Sequence, residues 1–464
     1  MLRAFVLSCL VLLCSSLLQA QEAYTEHKVR WMENVHTIAR KYKVEVNVLL
    51  EYNQISADDV KRGRVLRIPL TPPEAKPKPI EDFEQDPPDE ITPGPFNPYN
   101  CAHYQPYVGI THRVALMLPL KLYELPANTY FMDFYHGALL AVQELKEQGM
   151  GLRLQVYDTE ATPISSLMRS PEFRQQELII GPVFAKDLFP ILQDDYENQA
   201  VIVSPLDPLT DAALDGNPRF FQVSPSAESQ QRNLLQHIKP YEGKVWLMYE
   251  TNTPLVDTLW LHITRKQLEQ MGIPYTEFTH KVEKDVDITE TLKGLFAPHS
   301  HNQVIVSSSN EAFVSDLLRC LHLVHNFWGS PVSLFGDARW RNFETIDLDY
   351  FHNMNLRLSL PRYVDYQRQD LRRFLTRYRG LYHTDPSSYA FQGYDVMLYF
   401  LHALYTKGPS FEHCLYEVEK GLHSLQSPLH FQRLKEDGGF INTQTRLIQY
   451  LPDYTIQVLN ETSF

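Results

Sequence analysis

Four sets of side chains in this 464-residue sequence have types and spacing that could support chemistry. Asp158 and Asp337 each end an apolar run, where a carboxylate can hold an amine or cap the following helix; capping is the commoner use. His299 and His301 stand two apart in the polar stretch APHSHNQ, but no further ligand cluster accompanies them, so no metal is expected. Arg372, Arg373, Arg377 and Arg379 interleave with Phe374 and Tyr378. With a formal net charge of −13, that arginine set reads as a solvated face and not as a nucleic-acid surface. Cys101, Cys320 and Cys414 form no CxxC or Cys/His pattern and allow at most one bridge. Cys320 and Cys414 sit in helical patterns and read as buried thiols. None of GxSxG, HExxH, GxxxxGK[ST] or GxGxxG occurs. The expectation is a protein without catalysis, cofactor or metal.

The elements that carry these residues begin after a leader. Residues 1–20 combine Arg3, an apolar run from Ala4 to about Leu13, and Ala20 at a cleavage position. That order reads as a secretory signal peptide, with the periplasm or cell envelope as destination. The alternatives are a signal anchor, for which the apolar run is short, and a lipoprotein, for which Leu13 before Cys14 is a poor match.

Residues 24–70 have the order β-α-α-β. HKVRW reads as a strand. ENVHTIARKY places Val35, Ile38, Ala39 and Tyr42 at helical spacing, and Val46, Leu49 and Leu50 mark a second helix. RVLRIPL follows Gly63 as the closing strand. The opening HKV, IARKY, VNVLLEYN and GRVLRIP together resemble a LysM domain, a small module that binds peptidoglycan or chitin. The resemblance implies glycan contacts from the loop after the first strand and the loop after the second helix, here Glu33, Asn34, Val35, Asn53 and Ile55. Where the family has a Gly-Asp/Glu-Thr-Leu step, this chain reads Met32-Glu33-Asn34-Val35. Glycine reaches backbone angles that methionine avoids. A LysM scaffold that holds no glycan is therefore the alternative. Nine Lys/Arg against six Asp/Glu make the module mildly basic.

Residues 71–111 are rich in proline and acidic from Glu81 to Glu90. Such a stretch buries no core and favours extended geometry, on the order of 100 Å at about 3 Å per residue. It reads as a spacer.

From residue 112 to 460, near-continuous apolar runs alternate with helical patterns, the signature of parallel sheets buried on both faces. Two such sets imply an α/β fold of two Rossmann-like lobes. VALMLPL, FYHGALLAVQEL, VYDTE, LIIGPVFAKDLFPI, AVIVSPLDP and DPSSYAFQGYDVMLYFLHAL together resemble the type I periplasmic-binding fold of Leu/Ile/Val-binding proteins and receptor ligand-binding domains. The resemblance implies a chain that crosses between lobes three times, placed near Val223–Pro225, Pro361–Val364 and Pro409. Lobe A then comprises 112–224 and 364–408, and lobe B 225–363 and 409–460. It also implies a ligand at the strand ends, where Lys121, Asp158, Val183, Ser204, Asp207, Tyr249, Ser308 and Asp337 are expected. Relatives that bind amino acids hold the carboxylate with hydroxyls in a Ser-Pro-Ala-Ala-Thr type segment. Here that segment is Ser204-Pro205-Leu206-Asp207-Pro208, so the clamp is incomplete.

Two functions stay open. One is an envelope protein tethered to peptidoglycan whose lobes bind a small, amino-acid-like solute or a partner protein, like the substrate-binding component of an ABC transporter. The other is a regulatory module acting by protein contact with an empty cleft, like the activators of penicillin-binding proteins. Either way, limited proteolysis of the full chain is expected to cut first within 71–111. A first cut inside 112–460 would contradict the domain plan.

Overall fold

The computed structural model describes the chain outside residues 1–23, 30–34, 43, 45, 54, 56–59, 62, 70–100, 102–108, 124–127, 194–199, 284–285, 297–298, 427 and 461–464. The signal-peptide and spacer expectations, and Glu33 and Asn34, fall outside the described residues. Two compact units are present, divided between Gly94 and Pro95.

The small unit runs β1 (Tyr24–Lys28), α1 (Val35–Tyr42), α2 (Val46–Asn53) and β2 (Val65–Pro69). Its first strand lies a few residues earlier than the HKVRW pattern predicts, because β1 pairs antiparallel with β2 from Tyr24↔Pro69 to Lys28↔Val65. Val29, Val35, Ile38, Ala39, Leu49, Leu66 and Ile68 form its core. A unit of this size is marginal on its core alone, and hydrogen bonds supplement the core. The Asn53 amide donates to the carbonyls of Leu49 and Arg67 at 2.8 Å each, and its oxygen accepts from the Arg67 amide at 2.8 Å. One side chain thereby ties the end of α2 to β2.

The large unit contains two seven-stranded sheets. The chain lays down β3 (Thr111–Leu118), α3 (Thr129–Glu147), β4 (Gly151–Asp158), α4 (Ile164–Leu167), β5 (Leu178–Ile180), α5 (Ala185–Leu192), β6 (Val201–Ser204) and β7 (Phe220–Gln222) in lobe A. It then builds α6 (Ala227–Leu235), β8 (Lys244–Glu250), α7 (Leu255–Gln270), β9 (Thr276–His280), α8 (Thr289–Leu295), β10 (Asn302–Val306), α9 (Glu311–Trp328), β11 (Val332–Phe335), α10 (Leu348–Asn353) and β12 (Arg357–Leu360) in lobe B. It returns through α11 (Gln369–Tyr382), α12 (Ser388–Lys407), α13 (Leu415–Glu419), β13 (Phe431–Arg433) and β14 (Phe440–Asn442) to lobe A, and ends with β15 (Arg446–Tyr450) and β16 (Ile456–Val458) in lobe B. The sheet orders are β13-β14-β7-β6-β5-β3-β4 and β16-β15-β12-β11-β10-β8-β9.

Strands β3 to β7 are mutually parallel, as are β8 to β12. Both faces of each sheet are buried, which is why the strands read as unbroken apolar runs. In β3, Val114, Leu116 and Leu118 pack toward α3 and α12, while Ala115 and Met117 pack toward α5. In β8, Trp246 and Met248 face α8 and α9, while Val245 and Leu247 face α6 and α7.

The chain crosses between lobes at 223–226, at 361–368 and at 443–445. The last differs from the expectation near Pro409. After α12 the chain stays in lobe A, because β14 pairs in parallel with β7 and β13 pairs antiparallel with β14. Residues 409–442 therefore belong to lobe A. A second correction concerns cysteine. Cys414 is bonded to Cys101 across a sequence separation of 313, and among the described residues Cys320 is the free, buried thiol. The bond pins the start of the large unit beside α13.

Helices α3 and α12 touch backbone to backbone at two glycines. A Cβ on Gly137 would stand 1.8 Å from the Ala390 carbonyl oxygen, and one on Gly393 would stand 2.0 Å from that of Phe134. Alanine gains about 1 kcal/mol of helix propensity over glycine, but overpacking against rigid backbone costs about 1–3 kcal/mol or more. Gly137→Ala is thus expected to destabilise the large unit by about 2 kcal/mol or more in urea unfolding. Gly380→Ala, in open space on α11, is expected to stabilise by about 0.5–1 kcal/mol. Equal effects of the two would contradict this packing.

Candidate functional site: the strand ends and the cleft between the lobes

Because the sheet strands are parallel, their C-terminal ends and the loops after them gather at one edge of each sheet. In lobe A that edge is closed by carboxylates. Asp158 accepts from the amides of Leu120 (3.0 Å), Lys121 (3.3 Å), Leu122 (3.0 Å) and Glu160 (3.1 Å). It holds the loop after β3, including Lys121 with its φ of +55°. Asp207 accepts from Ala185 N (2.8 Å) at the start of α5 and from Leu209 N (2.9 Å). Ser204 is fully buried, and its hydroxyl lies 3.5 Å from that of Thr210, which donates to the Gln222 side-chain oxygen at 2.8 Å. Val183 lies in the core.

Lobe B has the same organisation. Asp337 accepts from the Arg339 amide and from the Arg339 guanidinium, Nη2 to Oδ2 at 2.6 Å. The same Nη2 reaches Asp257 Oδ1 at 3.1 Å, and Asp257 Oδ2 accepts from Ser309 N at 2.8 Å. Asp257 is only 1% exposed. The hydrogen bond it donates to Asp337, opposed by burial and aided by both carboxylate charges, holds the Arg339 guanidinium above its ordinary pKa. Ser308 is buried; its hydroxyl accepts from Asn310 N and its carbonyl from the Trp340 indole. Tyr249 faces α7: it donates to Glu277 at 2.6 Å and accepts from Arg265 at 2.8 Å. Burial first, then the bond to Glu277, pushes its phenol pKa up.

A cavity of about 120 Å³ lies where the lobes meet, lined by Leu206, Pro208, Ser224, Gln230, Arg362 and Gln392 among others. None of the eight cleft residues expected from sequence lines it. Gln392 donates to Pro205 O, Gln230 to Pro225 O, and the Ser224 hydroxyl to Leu206 O. Arg362 is exposed and makes no ion pair among the described residues. Around the strand ends, large apolar side chains face solvent: Tyr123 (90% exposed), Leu209 (78%) and Phe184 in lobe A, and Leu255 (88%), Val256 and Leu259 in lobe B.

In the small unit, Val35 is buried in the core and offers only backbone, Asn53 is engaged by the chain itself, and Ile55 packs against the core. Sequence reasoning missed Asp257 and Arg339. Asp257 looks like any acid in the first turn of a helix, and Arg339 carries no signal beyond lying two residues after Asp337.

The LysM domain family matches residues 27–69. The large unit has the type I periplasmic-binding fold. A solved structure from Rhodospirillum rubrum, described as a branched-chain amino acid ABC transporter, matches at 14% identity and a TM-score of 0.55, covering 75% of this chain and 100% of that one. An ABC transporter substrate-binding protein from Desulfitobacterium hafniense, in complex with Leu, matches at 18% identity and a TM-score of 0.46, with the same coverage. A search of curated proteins finds no match. The chain thus joins an N-terminal LysM domain to a bilobed domain of the type I periplasmic-binding fold. Among the described residues no helix is long and apolar enough to cross a membrane, and no three or more His, Cys, Asp or Glu side chains are grouped so as to hold a metal ion.

Removing one partner from a buried ion pair typically costs about 3–5 kcal/mol. Asp257→Ala is expected to lose that much in urea unfolding. Asp337→Ala, at a less buried carboxylate, is expected to lose less. Equal stability of Asp257→Ala and the parent chain would remove the strand-end network from this account.

Proposed function

We propose that this protein is a non-catalytic component of the cell envelope. Its LysM domain attaches it to peptidoglycan, and its bilobed domain acts by contact with another envelope protein and not by enclosing a free amino acid. The observation that carries this reading is the occupancy of the strand ends. The positions where an amino-acid carboxylate and ammonium would be held are buried or bonded to the protein's own backbone. Large exposed apolar side chains on both lobes around that edge support protein contact, since burial against a partner would remove them from water. Secretion by the N-terminal leader is part of the reading, and the Cys101–Cys414 bond supports it, since disulfides persist in oxidising compartments.

On the glycan side, the backbone of the loops flanking α1 and α2 is proposed to contact N-acetyl groups, with Glu33, Asn34, Val35, Asn53 and Ile55 marking those loops. Asn53 acts there by holding its loop.

The full chain should co-sediment with purified peptidoglycan, and deletion of 24–70 should abolish this. A panel of free amino acids at millimolar concentration should leave its thermal midpoint unchanged. A ligand at 100 times its Kd would add about 2.7 kcal/mol, several degrees for a domain of this size. Such a shift would overturn the protein-contact reading and restore solute binding. Unchanged sedimentation without 24–70 would overturn the LysM assignment of wall attachment.

A further inference from the structure

Where the chain leaves lobe A for the last time, at 443–445, its backbone is held by His430, the residue before β13. The His430 carbonyl accepts from Thr443 N (3.0 Å) and from the Thr443 hydroxyl (3.3 Å). Its amide donates to Asn442 Oδ1 (3.0 Å), which also accepts from Gln444 N (3.1 Å). On the lobe B side, Asn233 of α6 donates to Thr443 O (2.9 Å) and to the Thr445 hydroxyl (3.1 Å). Ser359 of β12 lies 2.7 Å from that hydroxyl. His430 is thus an anchor of the third crossing on lobe A.

The imidazole of His430 is bound to a buried carboxylate. Glu419 ends α13, is 8% exposed, and accepts from His430 Nδ1 at 2.6 Å. Its other oxygen takes the Tyr399 hydroxyl (3.1 Å) of α12 and Phe431 N (3.2 Å). A carboxylate this deep needs a counter-charge, and the imidazolium is its ion-pair partner. The hydrogen bond to Glu419, opposed by burial and aided by the Glu419 charge, holds the His430 pKa above its ordinary 6.5. The second ring nitrogen lies 3.2 Å from the side-chain amide of Gln432, which offers an oxygen to a protonated ring or an N–H to a neutral one. Further charged groups face the pair across a cavity of about 640 Å³: Arg368, Asp370 and Arg373 of α11 and its approach, His423 after α13, and Arg446 of β15. Arg368 is paired with Asp370, Arg446 donates to Ser424 O, and Arg373 and His423 are exposed to screening solvent. Arg433 of β13 donates to the carbonyls of Gly438 and Pro218.

We propose that the His430–Glu419 pair is a proton-operated latch on the third crossing. With His430 protonated, α13 is clamped to the residue that holds Thr443 and Gln444. Loss of the proton slackens the hinge between the lobes. A group whose pKa is raised by folding contributes stability that is complete below its ordinary value and is lost as pH rises through the raised one. The hinge is therefore tightest in mild acid and loosens with rising pH. The latch acts on the crossing whatever the cleft contacts.

The test is amide hydrogen exchange on the full chain from about pH 6 to about pH 8.5, a range that spans the titration, with each rate divided by its intrinsic rate at that pH. Protection of the Thr443 and Gln444 amides is expected to fall about fivefold, the difference between a charged and a neutral hydrogen bond. The Leu116 amide, in the middle of β3, should hold constant. His430→Gln, at a partly exposed side chain, should flatten the Thr443 and Gln444 profile. Glu419→Gln, which keeps an acceptor for Tyr399 and Phe431, should do the same; should it fail to fold, His430→Gln decides alone. An NMR titration of the parent chain should place the His430 ring above its ordinary pKa. A ring titrating at or below that value, protection that does not change with pH, or the same fall in His430→Gln would overturn the proposal.

Discussion

A parallel sheet leaves unpaired backbone amides where strands end and helices begin, and those amides need acceptors. In this protein four aspartates supply acceptors there, alongside groups such as the Ser308 hydroxyl. Asp158 holds the loop after β3, Asp207 caps the start of α5, Asp257 holds Ser309, and Asp337 holds Arg339. The rest of the strand-end architecture follows from that use. Arg339 lies between Asp257 and Asp337 because the buried Asp257 carboxylate requires a counter-charge. A ligand entering here would have to displace the protein's own bonds.

Both lobes were legible in the sequence because burial on two faces leaves unbroken apolar strands such as LIIG and AVIVS. The capping use of Asp337 was legible too, since an aspartate just after an apolar strand meets free amides, whereas Asp158 holds the loop after β3 and does not cap the helix that follows its own strand. The third crossing was not. Pro409 looks like a boundary, but β13 and β14 are three residues each and carry no period long enough to read. The partner of Cys414 was hidden for a different reason. Local pattern assigns it to a helix, and only the tertiary fold brings Cys101 to it. Asn53 was legible as part of the LysM motif, but its role was not: the structure gives it to the backbone of β2.

The large unit therefore presents two different surfaces. Its strand-end edge is electrostatically closed and apolar at the rim. A pocket of about 640 Å³ beside the second and third crossings is lined by arginines and carboxylates together, and its walls come from both lobes. Two glycines hold α3 against α12 within lobe A, so any relative motion is expected at the crossings and not inside the lobe.

The central claim, that the strand-end amides are satisfied by the protein's own carboxylates, is tested most directly by amide hydrogen exchange on the protein alone. The amides of Leu120, Leu122, Ala185 and Ser309 should exchange slowly with no ligand added, and should lose protection when Asp158, Asp207 or Asp257 respectively is replaced by alanine. Fast exchange of these amides in the parent chain, with protection appearing only on addition of an amino acid, would contradict it.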